Sequence, residues 1–453
     1  MESEELVNSE RKNYDRVFWT RGLLDAGRAG NPTAYSVLRK FYDWFNDCSY
    51  LNKMLDGSNS TNGLPGGGLV YLSPIGKSED LVVTERYFDQ DYWINELKNE
   101  NPLCITYYQI TNPHCYELLG LEAFIDEYRA TGAAKYIDAV KGGWKVYNEN
   151  FKHIDGNTAI CEGHVYPPKS YYLTHKLHTG ETCGGVFWIN INSRLLQLYP
   201  TDEKYAAEIE KVIYNVIMAC QDNKGYIRYH NFLEGVKGRA SCGNTCCECS
   251  SVGMIAKLPE YIYSIADDGI YINLFAASTI TWEQDNENVT LVMNTQFPKS
   301  EAVSISFKGS SSKKMKVRVR IPSWAEGDVK IAVNKITAVT GKPGTFVTID
   351  RIWKNDDVIS FNLPMSFSMH KYTGLDHDKE HDRYALTYGP ILMSLVGESA
   401  DSTLNIPALK LIENLKPISR DPLQFDINGK PDSKYMPYYQ VQDERFTCYP
   451  KMK

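Results

Sequence analysis

The sequence predicts a helical domain built as an (α/α) toroid of stacked hairpins, followed by an antiparallel β-sandwich. Three observations carry this prediction. Apolar residues recur at helical spacing through about residue 265 of the 453. A helix–corner–helix pattern repeats within that stretch. From Ile270 the apolar period drops to two.

The helical elements can be justified one by one. In "TDEKYAAEIEKVIYNVIMAC", Thr201 stands where an N-cap belongs and acids fill the first turn. Tyr205, Ile209, Val212, Ile213, Val216 and Ile217 then make one apolar stripe. "CYELLGLEAFIDEYRATGAAKYIDAVKGGWKVYNENF" reads as two antiparallel helices broken at Thr131–Gly132. That corner, "YRATGAAKY" (128–136), returns as "YPTDEKY" (199–205) and more loosely in "GNPTAYSVL" (30–38). A complete toroid of twelve helices, at roughly 25–35 residues per helix and connection, needs more than about 300 residues. The helical stretch is shorter, so a small or incomplete ring is expected.

The strands follow. "KMKVRVRI" (314–321) alternates strictly, with Met315, Val317, Val319 and Ile321 on one face. "DGIYINLF", "NVTLVMNT", "AVSISF", "VKIAVN", "TFVTID" and "DVISFNLP" come at short intervals with turn residues between, as in an antiparallel sandwich. After about Phe367 the pattern weakens. "RYALTYGPILMSLVG" reads as one buried strand, and "NLKPISRDPLQFDINGKPDSKYMPYY" as loop. The expected division is a barrel domain over 1–267, a sandwich over 268–367 and a second β-rich part over 368–453.

Composition narrows the function. With 43% hydrophobic and 23% charged residues the chain is that of an ordinary globular protein. A net charge of −7 and a pI near 5.8 argue against a nucleic-acid partner, because phosphate binding wants a basic surface. No apolar run approaches the roughly 20 residues of a membrane span, and "MESEELVNSERKNYDR" carries no signal-peptide core, so a cytoplasmic location is expected. Aromatic residues make up 12%, which suits either a sugar cleft or a large core.

Cysteines supply the chemistry. "GNTCCECSS" (243–251) places Cys246, Cys247 and Cys249 within four positions. Adjacent cysteines rarely pair, because bridge geometry is strained across one peptide bond. They can be buried small residues, a redox pair, or half of a metal site. "HTGETCGG" offers another half in Glu181 and Cys183, just before a helix expected from near Val186. One carboxylate and three thiolates suit zinc in tetrahedral geometry. On spacing alone, buried thiols of no consequence account for the pattern equally well.

"GETCGGVFWININSRLLQLYPTDEKYAAEIEKVIYN", "GNTCCE" and "LPEYIYSIADDGIYINLF" resemble the β-L-arabinofuranosidases of glycoside hydrolase family 127. "VFWTRGLLDAGRAGNP", "NGLPGG" and the closing "ERFTCYP" extend the resemblance from about Tyr14 to the end. The resemblance begins part-way into the family's catalytic domain, so the first barrel helices are expected to be missing, in keeping with the helix shortage. The resemblance implies an (α/α) barrel followed by β-sandwich domains and a zinc site made of Glu181, Cys183, Cys246 and Cys247. It further implies Cys246 as nucleophile of a retaining exo-hydrolase that releases β-L-arabinofuranose or a similar furanose from plant-type glycans. A general acid is also required, and Glu162 in "AICEGHVYPPKSYYL" is the candidate, with Glu181 and Glu248 as rivals. By the same resemblance His114 in "NPHCYELLGL" and Tyr229 in "IRYHNFLEG" would contact the sugar. His230 is the alternative to Tyr229, since neighbours in extended chain face opposite ways. Glu248 beside the thiols would orient them. Cys249 stands where relatives carry a small non-thiol residue.

Four protein ligands usually mean a closed, structural zinc site. The competing reading is therefore a non-catalytic, zinc-stabilised carbohydrate-binding protein or assembly subunit. Barrel faces left uncovered would also favour association with a second copy.

Overall fold

A computed structural model describes residues 10–48, 67–82, 90–107, 115–158, 173, 180–241, 245–309, 312–374, 376–397 and 403–453. The fold is helical first and β-rich afterwards, and the chain divides into two compact units. One comprises Met1–His153, Asn157–Tyr172 and Leu177–Ile191; the other comprises Ile154–Gly156, Leu173–Lys176 and Asn192–Lys453.

In the first unit, helices α1 (Glu10–Arg28) and α2 (Pro32–Asp47) form one hairpin. Asn31 caps α2 by accepting from the Thr33 and Ala34 amides, with Pro32 at the first helical position. Helix α3 (Gln90–Lys98) and the pair α4 (Cys115–Thr131) and α5 (Ala134–Asn150) pack together. The break falls where expected: Gly132 adopts φ +70°, a left-handed conformation that glycine enters without a Cβ clash. Gly142 lets α5 approach α3 closely, since a Cβ there would lie 1.9 Å from the Leu97 carbonyl oxygen. Trp188, fully buried on α6 (Thr182–Leu198), stacks on Trp144 at 5.8 Å and meets Tyr147 at 6.1 Å.

In the second unit, α7 runs from Glu203 to Val212. Thr201 is not its cap. The Asp202 amide closes a turn on the Tyr199 carbonyl, and Asp202 precedes the helix without a side-chain cap bond. Tyr205, Ile209, Val212, Val216 and Ile217 are buried as the stripe requires, but Ile213 is only partly so. A π-turn over Ile213–Ile217 inserts a residue into the helical phase and turns Asn215 inward instead. There Asn215 donates to the Pro390 carbonyl at 2.9 Å and accepts from the Leu392 amide at 2.8 Å.

The sandwich has a six-stranded and a four-stranded sheet. Strand Lys313–Ile321 buries Met315, Val317, Val319 and Ile321, as its alternation requires. It is not purely antiparallel: Gly269–Ile272 pairs with Lys313–Ile321 in parallel. The alternation also hides an exception. Arg320, on the face opposite those apolar residues, is fully buried and binds Glu203 at 2.7 Å and Glu210 at 3.0 Å, both on α7. Glu210 also accepts from the Trp324 indole at 2.7 Å.

Two expectations beyond Phe367 are overturned. "RYALTYGPILMSLVG" is two strands, Tyr384–Tyr388 and Ile391–Val396, folded back at Gly389–Pro390. The stretch read as loop is three strands, Leu415–Arg420, Leu423–Ile427 and Lys430–Pro437, of one antiparallel sheet. Leu423, Phe425 and Ile427 alternate into the core, but prolines, lysines and a register shift near Pro417 mask that period on a single-sequence reading.

Two outcomes follow for stability. Arg320→Met leaves two buried carboxylates without their guanidinium and should cost about 3–5 kcal/mol, read as a lower urea midpoint. Burial pushes the His153 imidazole down from 6.5 to about 4. The unfolded chain then binds the extra proton between those values, so stability falls as pH drops through that window. His153→Gln should flatten that part of the stability–pH curve.

Candidate metal centre and active site

Both halves of the site sit at helix starts. Glu181 immediately precedes α6, and Cys183 lies in its first turn, earlier than the start expected near Val186. Helix onset there is possible despite Gly184 and Gly185, because first-turn amides have no intrahelical partner to lose. The Gly184 amide bonds the Glu181 carbonyl at 3.0 Å. Two further bonds hold the segment from the side. Asn157 donates to the Glu181 carbonyl at 2.9 Å, and the Thr158 hydroxyl donates to the Gly184 carbonyl at 3.0 Å.

Cys246 and Cys247 are the first two residues of helix α8 (Cys246–Lys257). Thr245 caps it. Its hydroxyl accepts from the Glu248 amide at 3.4 Å, and the Glu248 carboxylate accepts from the Thr245 amide at 3.3 Å. This capping box fixes where the helix begins and therefore where the thiols stand. Glu248 thus acts on the backbone beside the thiols.

The ligand atoms of Glu181, Cys183, Cys246 and Cys247 all lie within 4.8 Å of one another. Glu181, Cys183 and Cys247 are buried, while Cys246 is half-buried. Ligands around zinc, bonded at about 2.0–2.3 Å, lie less than about 4 Å apart, so small rotamer changes would close this set on an ion. One carboxylate with three thiols is a donor set that fits such a cation. These four residues could hold a metal ion.

The Tyr229 hydroxyl lies 3.7 Å from Cys246 Sγ. His230 packs its ring against Tyr229 at 4.6 Å and stacks on Phe232 at 6.0 Å. Cys249, the third thiol of the cluster, is exposed on α8 and outside the four-residue set. Glu162 and His114 lie outside the described residues. Thr245 was missed from the sequence, although "TCCE" spells the Ser/Thr-x-x-Glu signature of a capped helix. Asn157 and Thr158 carried no local signal, because what they hold is 24 and 26 residues away.

Residues 20–260 match the family described as β-L-arabinofuranosidase, GH127 catalytic domain, and residues 269–365 match its GH127 middle domain. The chain belongs to the GH127 β-L-arabinofuranosidase family. This GH127 chain is 27% identical over 265 residues to a non-reducing end β-L-arabinofuranosidase from Bifidobacterium longum subsp. longum. That match covers 53% of the chain and only 39% of the relative's length. The fold is that of a solved GH127 β-L-arabinofuranosidase from Geobacillus stearothermophilus T6, with a TM-score of 0.76 at 18% identity. That similarity covers 99% of this chain and 81% of the other. A second solved GH127 β-arabinofuranosidase has a TM-score of 0.64 at 17% identity, covering 85% and 72% of the two chains. Among the described residues, no helix is long and apolar enough to cross a membrane.

Thr245→Ala should lower stability by about 1 kcal/mol, the usual cost of losing a hydroxyl cap, while Thr245→Ser should stay near wild type. Thermal melts of the two variants side by side check this.

Proposed function

We propose that this chain is a retaining exo-glycoside hydrolase that releases terminal β-L-arabinofuranose, or a similar furanose, from plant-type glycans. The supporting observation is the gathered set Glu181, Cys183, Cys246 and Cys247, in which the one half-exposed thiol also meets a tyrosine hydroxyl. The Bifidobacterium relative's name adds the substrate and the exo action by likeness. We assign domain boundaries near 267 and 367, supported by the change from α8 to the strands that begin at Tyr263 and by the sheet that begins at Phe367.

Zinc is the metal we assign to Glu181, Cys183, Cys246 and Cys247, since thiolate-rich sets select it. Bound there, it would keep the thiols deprotonated at neutral pH. The buried Glu181, Cys183 and Cys247 then serve as anchoring ligands, and the half-buried Cys246 serves as nucleophile.

The reaction is a double displacement. Cys246 Sγ attacks the anomeric carbon and forms an S–C bond as the bond to the leaving oxygen breaks. Glu162 gives that oxygen its proton. The Glu162 carboxylate then takes a proton from a water whose oxygen attacks the same carbon, and the S–C bond breaks to restore the thiolate. Two inversions give net retention. The Tyr229 hydroxyl, on the sulfur, orients it toward the sugar, and His114 holds a sugar hydroxyl.

The closed four-donor set favours one competing reading, a metal-stabilised carbohydrate binder without turnover. One assay separates the two. An aryl β-L-arabinofuranoside should release its phenol with the wild-type protein, and Cys246→Ala should lower that rate by about a thousandfold or more. A folded, zinc-loaded protein that releases no phenol leaves the binding reading.

A further inference from the structure

The half-buried thiol of Cys246 faces the end of one tyrosine, and that tyrosine sits in a segment with little regular structure of its own. Ile227–Arg228 is a two-residue strand, and Glu234–Gly235 is another. Something else must hold Tyr229 on target, because a single flexible loop side chain gives poor positioning.

The anchoring contacts of this segment run repeatedly to residues 438–448. Arg228, the neighbour of Tyr229, is buried, and its guanidinium donates to the Gln442 side-chain oxygen at 2.9 Å. It also donates to the Gln221 carbonyl at 2.6 Å and the Gly238 carbonyl at 3.0 Å. The Tyr438 hydroxyl donates to the Phe232 carbonyl at 2.6 Å, and the Cys448 amide donates to the Leu233 carbonyl at 2.8 Å. Glu234 and Gly235 pair with Thr447 and Phe446. Lys237, also buried, donates to the Tyr438 carbonyl at 2.8 Å and the Ala219 carbonyl at 3.0 Å, with its ammonium 4.3 Å from the centre of the Tyr438 ring.

Arg228 ends the strand Ile227–Arg228, and Tyr229 follows it directly. Holding the Arg228 guanidinium on Gln442 therefore fixes the stretch of backbone from which the Tyr229 hydroxyl reaches Cys246 Sγ. From this geometry we propose that residues 438–448 act as a strap that positions the Tyr229 hydroxyl on Cys246 Sγ, with Gln442, Arg228 and Lys237 as its positioning residues. None of the three is needed to touch substrate; they act through Tyr229. The proposal rests on the reading of Cys246 as nucleophile, although its mechanical part does not need sugar turnover.

The test is a double-mutant cycle with two readouts. In a Cys249→Ser background, which removes an exposed thiol close by on α8, the rate of Cys246 alkylation by iodoacetamide is followed by mass spectrometry. Tyr229→Phe and Gln442→Ala should each change that rate by about threefold or more, in the same direction, while Gln442→Ala adds nothing in the Tyr229→Phe protein. Gln442→Glu keeps an acceptor for the guanidinium and should restore the wild-type rate. With the aryl arabinofuranoside, kcat should show the same non-additivity while zinc content and melting temperature stay unchanged. Rates that multiply in the double variant overturn the strap. So does a Gln442→Ala protein that alkylates like wild type while Tyr229→Phe does not, and so does a Tyr229→Phe protein with an unchanged rate. A wild-type protein that releases no phenol overturns the hydrolase reading alone, because the alkylation cycle still decides the strap.

Discussion

The site depends on where two helices begin. Glu181 and Cys183 flank the start of α6, and Cys246 and Cys247 open α8. A helix start carries a partial positive charge, which favours negatively charged groups placed beside it. Successive helical residues also point about 100° apart, so two adjacent cysteines can address one ion without the strain of bridging each other. Moving either helix start by one residue would turn its donors away. The capping box at Thr245 and Glu248 and the side-chain bonds from Asn157 and Thr158 therefore support the site, although none of the four is among the candidate ligands.

The same economy recurs at larger scale in the second unit. The buried Arg320 reaches from the sandwich to two carboxylates about two turns apart on one face of α7. The π-turn that follows α7 turns Asn215 onto the strand Ile391–Val396. Lys237 and Tyr438 then join the segment bearing Tyr229 to residues near the end of the sequence. In each case a buried polar group is matched by specific partners, and an apolar replacement would not reproduce the register it sets. Geometry at Cys246 thus rests on contacts made across more than 200 residues of sequence.

Partner chemistry divides the three clustered thiols. Cys247 is buried within the four-donor set, Cys246 is half-buried against Tyr229, and Cys249 is exposed one turn later. Three residues identical in type, within four positions, differ in environment because adjacent Cys246 and Cys247 point about 100° apart and Cys249 stands one turn farther from the helix start.

The sequence by itself determined the helix-then-strand order, the hairpin corners at Gly132 and near Asn31, the alternating core face of Lys313–Ile321 and the four candidate metal ligands. These are legible because local periodicity and turn chemistry act over a few residues, and because the Glu-x-Cys and Cys-Cys motifs are distinctive. The capping box was legible too, in "TCCE", and was overlooked. Tertiary structure alone decided the parallel pairing of Gly269–Ile272, the burial of Arg320, the three strands hidden among prolines and lysines after Leu415, and the approach of the Tyr229 hydroxyl to Cys246. Each of those depends on a partner far along the chain, and a side chain's local period cannot report what it will be packed against.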